Sequence, residues 1–218
     1  MPPATPATAA PASRVKLRVW LGWLAILSGI AYFIKANALH YFVVTPESYG
    51  NSWPQVSWLL PHIVGGLVAA ILGPLQFWPK IRRDYLPFHR IAGRLYVVAV
   101  LGGAIASLGL SLRMSASNAA YAGGLVGLAV AWLVTTGMAF VAIRRKNLVQ
   151  HKQWMIRSYV VTFAFVTFRL LDTLLSERNL VPGHEFYSIL AWACWAVPLL
   201  FTEAILQSTE IFRARTRE

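Results

Sequence analysis

The sequence predicts an all-α protein, a polytopic membrane bundle of six transmembrane helices with an internal repeat at its centre. Composition is the first ground: of 218 residues, 57% are hydrophobic and 13% charged, against roughly 25% charged in a soluble domain. Segmentation is the second. Apolar runs at about 19–39, 57–79, 88–111, 120–142, 153–175 and 187–208 approach or exceed the roughly 18 residues that read as bilayer-spanning. None shows the period-two alternation of a membrane strand. The third ground is a phrase that occurs twice. Ile81-Arg82-Arg83-x-x-Leu86-x-x-His89-Arg90 returns as Ile143-Arg144-Arg145-x-x-Leu148-x-x-His151-Lys152. Both copies run on into Arg-x-Tyr-Val-Val, starting at Arg94 and at Arg157. Each copy lies between two apolar segments, so spans 2–3 and spans 4–5 are expected as duplicated helix hairpins, with a core repeat over 57–175.

In chain order, residues 1–13 are rich in Pro and Ala and are expected as a disordered tail. The membrane domain follows over 14–212, and 213–218 form a basic tail. Arg14, Lys16 and Arg18 precede the first span. That start also has the form of a signal peptide, with Ala36-Asn37-Ala38 imitating a cleavage site. The length of the apolar stretch and the intrusion of Lys35 favour an uncleaved span. Lys80, Arg82, Arg83, Arg90 and Arg94 follow the second span, and Arg144, Arg145, Lys146, Lys152 and Arg157 follow the fourth. Arg213, Arg215 and Arg217 follow the sixth, whereas the other connections hold little beyond Arg113 and Arg178. This asymmetry assigns both termini and both basic loops to the cytoplasm. The net charge of +12 thus sets topology and meets anionic membrane lipids. It does not read as a nucleic-acid surface.

Polarity within the spans falls on single helical faces. The second span presents His62, Gly65, Gly66, Ala69, Gly73 and Gln76 at steps of three and four; the third presents His89, Gly93, Tyr96, Val100, Gly103 and Ser107. The fifth presents His151, Met155, Ser158, Thr162, Phe165 and Arg169. These faces are expected to point into the bundle, with Leu, Ile, Val and Phe toward lipid. Tight packing through glycine accounts for the small residues and leaves the histidines unexplained. Arg169 and Asp172 are expected as a pair near the outer end of the fifth span, sharing an outer polar site with His62. Glu203 in the sixth span is expected to pair with an arginine near the basic end. Cys194 is the single cysteine, which excludes a disulfide or thiolate cluster within one chain. Tryptophans and tyrosines near the span ends match interfacial belts.

His89 and His151 occupy equivalent positions of the repeat, so they are expected at one depth, facing one another from spans that are diagonal in an up-down bundle. Two neutral imidazoles so placed have the chemistry of the axial positions of a haem b iron. Gly93, one turn past His89, would give clearance, and Arg90, Arg94, Lys152 and Arg157 would stand at the rim near the propionates. The other reading of both histidines is interfacial, as lipid contacts or helix caps; two histidines alone are an incomplete zinc site. The fourth span has only Gly124 or Val126 where a partner of His62 would fall. A second haem is therefore not expected, and His62 is left to a substrate or quinone pocket or to packing.

The phrases His89-Arg90-x-x-Gly93-Arg94-x-Tyr96 and His151-x-x-Trp154-Met155-x-Arg157-Ser158-Tyr159, with Gly73-Pro74-x-Gln76-Phe77 and Arg169-Leu170, resemble the bacterial membrane family catalogued as domain of unknown function 2306. The resemblance covers roughly 57–207. It implies a multi-pass protein of the bacterial inner membrane and supplies neither an activity nor ligand residues. A looser similarity to cytochrome b561-like bundles rests on architecture and histidine placement. The functional expectation is a haem-b electron-transfer module serving a quinone or a redox partner. Its rivals are a transporter or lipid-binding protein and a non-catalytic accessory or assembly subunit. The sequence contains no Walker, zinc-protease or nucleophile-elbow motif.

Overall fold

In a computed structural model, residues 12–114, 118–176 and 183–215 are described. Most of the expected N-terminal tail, Arg178 and the last residues, 216–218, lie outside them. Among the described residues all regular structure is helical, and six stretches are long and apolar enough to cross a membrane: Val19–Phe42, Pro46–Phe77, Leu86–Arg113, Ala119–Arg144, Leu148–Leu175 and Glu185–Phe212. Each overlaps one of the six expected runs.

The first span is α1 (Ala12–Phe33), which widens into a π turn and then tightens into a 3-10 turn before the short α2 (Pro46–Tyr49). Thr45 caps α2, its side chain accepting from the Ser48 N–H, with Pro46 in the first turn where its missing donor costs nothing. After a second 3-10 turn comes α3 (Val56–Phe77). Two hairpins then turn at one end of the molecule. The first joins α3 to α5 (Leu86–Met114) through the short α4 (Pro79–Asp84). The second joins α6 (Ala119–Arg144) to α7 (Leu148–Thr162) in three residues. There Lys146 takes a left-handed φ of 58°, so that its N–H reaches Ile143 O at 3.0 Å and Asn147 N–H reaches Ala142 O at 2.9 Å. Asn147 then caps α7 by accepting from Gln150 N–H. The two copies of the repeated phrase therefore differ locally: Ile81–Arg83 lies inside a separate helix, whereas Ile143-Arg144 closes a span.

Helices α3, α5, α6 and α7 close into a four-membered ring in that order, with α5 and α7 diagonal across it. Helix α8 (Ala164–Ser176) continues the fifth span, and α9 (Gly183–Arg215) packs outside the ring on α6, α7 and α8. Helix α1 is peripheral, resting Gly29 on Phe163 and Val166 and Trp23 on Phe77. Leu95, Val98, Leu101, Ile105, Val134, Phe201 and Ile205 are among the apolar side chains left on the outside, where lipid is the natural solvent.

Close approach inside the ring depends on absent side chains. A Cβ on Gly65 would stand 2.6 Å from Ala99 O and 2.9 Å from the backbone of Gly103, and one on Gly73 would collide with the Tyr159 ring. Those faces are the small-residue faces read from the sequence, and they point inward.

A polar knot fills the centre. Tyr96 Oη lies 2.8 Å from both Ser158 Oγ and Thr162 Oγ1, Trp132 Nε1 lies 2.8 Å from Thr162 Oγ1, and Thr136 Oγ1 lies 2.7 Å from Ser158 Oγ. All five residues are buried. One proton per hydroxyl fixes the direction of every bond. Thr162 donates to Ser158 O at 2.9 Å, so it accepts from Trp132 and Tyr96. Tyr96 has then spent its proton and accepts from Ser158, which in turn accepts from Thr136. Every member is satisfied, and α5, α6 and α7 are tied at one height.

The fifth span is not continuous. It breaks at Phe163 (φ −73°, ψ −9°) between α7 and α8, directly after the hydroxyl of Thr162 bonds back to the carbonyl four residues earlier, a contact that bends helices. Arg169 was expected on the inward face because it lies five whole turns beyond His151 in an unbroken helix. The break shifts that phase, and Arg169 is exposed.

Candidate histidine site at the basic end

Helices α5 and α7 both start at the end that carries the hairpin turns and run away from it in parallel. Tyr96 is seven residues beyond His89, and Ser158 is seven beyond His151, which is two turns in each case. Because Tyr96 and Ser158 are bonded in the knot, it holds the two histidines at comparable depth, roughly 10 Å nearer the basic end.

The two rings differ in what holds them. His151 Nδ1 lies 2.9 Å from Ala139 O. A carbonyl only accepts, so this nitrogen carries the proton, and the neutral ring has its lone pair on Nε2. His89 Nδ1 is buried with no hydrogen-bond partner. Two more nitrogens of this end share that condition, Gln76 Nε2 and Arg82 Nε. Gln76, at 6% exposure, leans over α5 with Oε1 3.2 Å from where a Cβ of Gly93 would stand. Gly93 is one turn beyond His89 on the same face, so the amide sits directly above the imidazole. The clearance expected beside Gly93 is therefore occupied by Gln76.

The expected rim arginines divide. Arg90 and Arg94 are exposed. Arg157 is buried against α9, where its Nη2 meets Glu203 Oε2 at 2.6 Å and its guanidinium covers the Trp154 ring at 4.7 Å. It belongs to the α7–α9 seam rather than to the histidine site, because a six-residue step from His151 turns it about 120° off that face. Glu203 pairs with it as expected. Its Nη1 is a further buried donor without a partner.

Of the expected outer polar group, two members are bonded to each other. Arg169 and Asp172 pair at 3.6 Å, with side-chain exposures of 46% and 20%. His62 instead points its Nδ1 at Gly103 O, 3.0 Å away, and stands edge-on to Phe165 with ring centroids 4.9 Å apart. That bond uses the same close α3–α5 approach through Gly65 and Gly103.

Sequence reasoning placed Gln76 on the right face without a role and read Arg82 only as a topology signal. A glutamine in an otherwise apolar span was the available hint, since an amide is costly there without partners. Nothing in the phrase Arg82-Arg83 separates the two arginines; in the fold, Arg82 turns inward while Arg83 bonds Asp84 at 2.7 Å on the surface. Among the described residues no cluster of three or more His, Cys, Asp or Glu side chains has the makings of a metal centre. This leaves a two-histidine site as the local chemistry on offer.

A family model described as a predicted membrane protein (DUF2306) matches residues 59–206. No curated protein and no solved structure matches the chain.

Proposed function

The chain belongs to the DUF2306 family of predicted membrane proteins, and we propose that this member is an electron-transfer module holding a haem b between His89 and His151. One observation carries the reading: two imidazoles on diagonal helices at comparable depth, one of them with its lone-pair nitrogen fixed by a backbone carbonyl. Haem ligands in proteins are held in just this way, the distal ring nitrogen bonded so that orientation and tautomer are set. The donor set fits the group in its chemistry, since the orphaned nitrogens of Gln76 and Arg82 suit an anionic edge. Gly93 does not contribute, because Gln76 fills its flank. When bound, the haem supplies one-electron redox chemistry.

In this reading His151 is the preset ligand and His89 the adjustable one. Arg90 and Arg94 remain at the surface, where they meet anionic lipids or a redox partner. The basic end faces the cytoplasm of a bacterial inner membrane, and a quinone or an outer acceptor completes the electron path.

The visible spectrum of the detergent-purified protein tests this. Wild type is expected to be red, with sharp reduced-state bands of low-spin bis-histidine iron. His89→Ala and His151→Ala each lose that signature, whereas His62→Ala keeps it, since His62 is committed to Gly103 O. Colourless protein from haem-replete cells overturns the haem reading. It leaves a lipid-binding or transport protein, which the unpartnered donors of the same end also favour.

A further inference from the structure

The histidine pair accounts for two rings, and the buried N–H groups beside it call for a different partner. Gln76 is more than nine-tenths buried and its Nε2 has no partner; Arg82 Nε is buried and equally alone. Both atoms donate and neither accepts. A buried donor left unmade costs the full desolvation of the group, so natural structures fill such positions with a protein acceptor, water or a ligand. Three consecutive elements pack on one another here: Gln76 lies in the last turn of α3, Arg82 in α4, and His89 with Gly93 in the first turns of α5. Gly93 lacks the side chain that would displace the Gln76 amide. The local charge is basic: Lys80, Arg82, Arg83 and Arg90 lie on this connection and the start of α5. Asp84, the acidic residue of this connection, is bonded to Arg83 instead. Two buried donors at a basic end, at the level where acyl chains meet headgroups, select a singly or doubly charged oxyanion.

We infer that Gln76 and Arg82, beside His89, form an oxyanion subsite at the basic end of the bundle, binding one carboxylate or phosphate group of a membrane-embedded ligand. The carboxylate source is a haem propionate, and that arm rests on the haem reading. The phosphate source is the headgroup of an anionic lipid, and that arm does not.

The test uses full-length protein in detergent, as wild type, Gln76→Met and Arg82→Gln. Methionine matches the volume and flexibility of glutamine, and Arg82 lies on a short surface helix, so both variants are expected to fold; circular dichroism checks this. Three probes are titrated: haem b, its dimethyl ester with both carboxylates blocked, and phosphatidylglycerol in mixed micelles. Haem is followed by its Soret band and lipid by native mass spectrometry. If the subsite takes a propionate, wild type prefers haem b over the ester by about tenfold, and each variant loses most of that preference. If haem fails to bind while wild type retains phosphatidylglycerol over phosphatidylcholine and both variants do not, the haem reading falls and the subsite stands as a headgroup site. If wild type and both variants treat every probe alike, the donors are merely hydrated and the subsite is overturned.

Discussion

At the scale of single residues, the centre of the bundle and its basic end follow opposite rules. In the knot around Thr162 each buried hydroxyl and the indole N–H of Trp132 has a partner, whereas at the basic end Gln76, Arg82 and His89 each keep a nitrogen without one. The first pattern is that of a structural core, and the second is the ground on which the proposed subsite rests. Thr162→Val separates them. Valine matches the shape but withdraws the acceptor of both Tyr96 and Trp132. An interhelical hydrogen bond in a membrane contributes about 0.6 kcal/mol on average, while a buried donor left orphaned costs about 1–3 kcal/mol. The orphaning term dominates, and a loss of about 2–4 kcal/mol is expected as a lowered thermal midpoint in detergent. Thr167→Val, which loses a single bond to Phe163 O, is expected to stay close to wild type. Equal midpoints for the two variants would mean that the knot is not what ties α5, α6 and α7. The histidines could be picked out from the sequence because each falls at the same place in a phrase that occurs twice. Gln76 and Arg82 could not, because their role depends on where α4 turns, and the phrase containing Arg82 adopts different local structure in its two copies.

At the scale of elements, hydropathy located all six spans because the length needed to cross a bilayer is a strong constraint on composition. The interruptions within them were hidden. No glycine or proline marks the break at Phe163; it follows a hydroxyl that bonds back along its own helix, a contact that Thr135 and Thr202 make without breaking theirs. The glycine faces, by contrast, were readable, and their cause is testable. A methyl group on Gly65 would meet Ala99 O at 2.6 Å and the Gly103 backbone at 2.9 Å, whereas one on the adjacent Gly66 would meet nothing within 4 Å. Backbone cannot step aside as a side chain can, so Gly65→Ala is expected to push α3 from α5, loosen the His62 bond to Gly103 O, and cost about 1–3 kcal/mol. Gly66→Ala is expected to be neutral or mildly stabilising, since alanine restricts the unfolded chain and favours helix. Matched midpoints for the two variants would show that the α3–α5 contact tolerates a side chain and that His62 is positioned by something else.

At the scale of the whole molecule, the fold gathers charge that the sequence distributes. The two hairpin turns are more than sixty residues apart in sequence, yet the ring brings α4 and the turn after α6 to one end, so Lys80, Arg82 and Arg83 share it with Arg144, Arg145 and Lys146. The other end holds Lys35, Arg113 and the Arg169–Asp172 pair, whose charges offset each other. Each lysine or arginine near an anionic leaflet contributes about 1 kcal/mol, so six at one end against three at the other, with one of each set paired to an aspartate, bias orientation by about 3 kcal/mol. The bias acts through short loops, where the positive-inside rule applies with full force. Reporter fusions made after Asp84 and after Lys146 are therefore expected to give a cytoplasmic signal, and one made after Ser48 the opposite signal. The pattern also ties to the site: the oxyanion subsite and the histidine pair would then open toward the cytoplasmic leaflet, where anionic headgroups and cytoplasmic electron donors are found. An outer-side signal from the Lys146 fusion would invert the protein. The orphaned donors would keep their chemistry, but they would have to meet their ligand from the opposite leaflet.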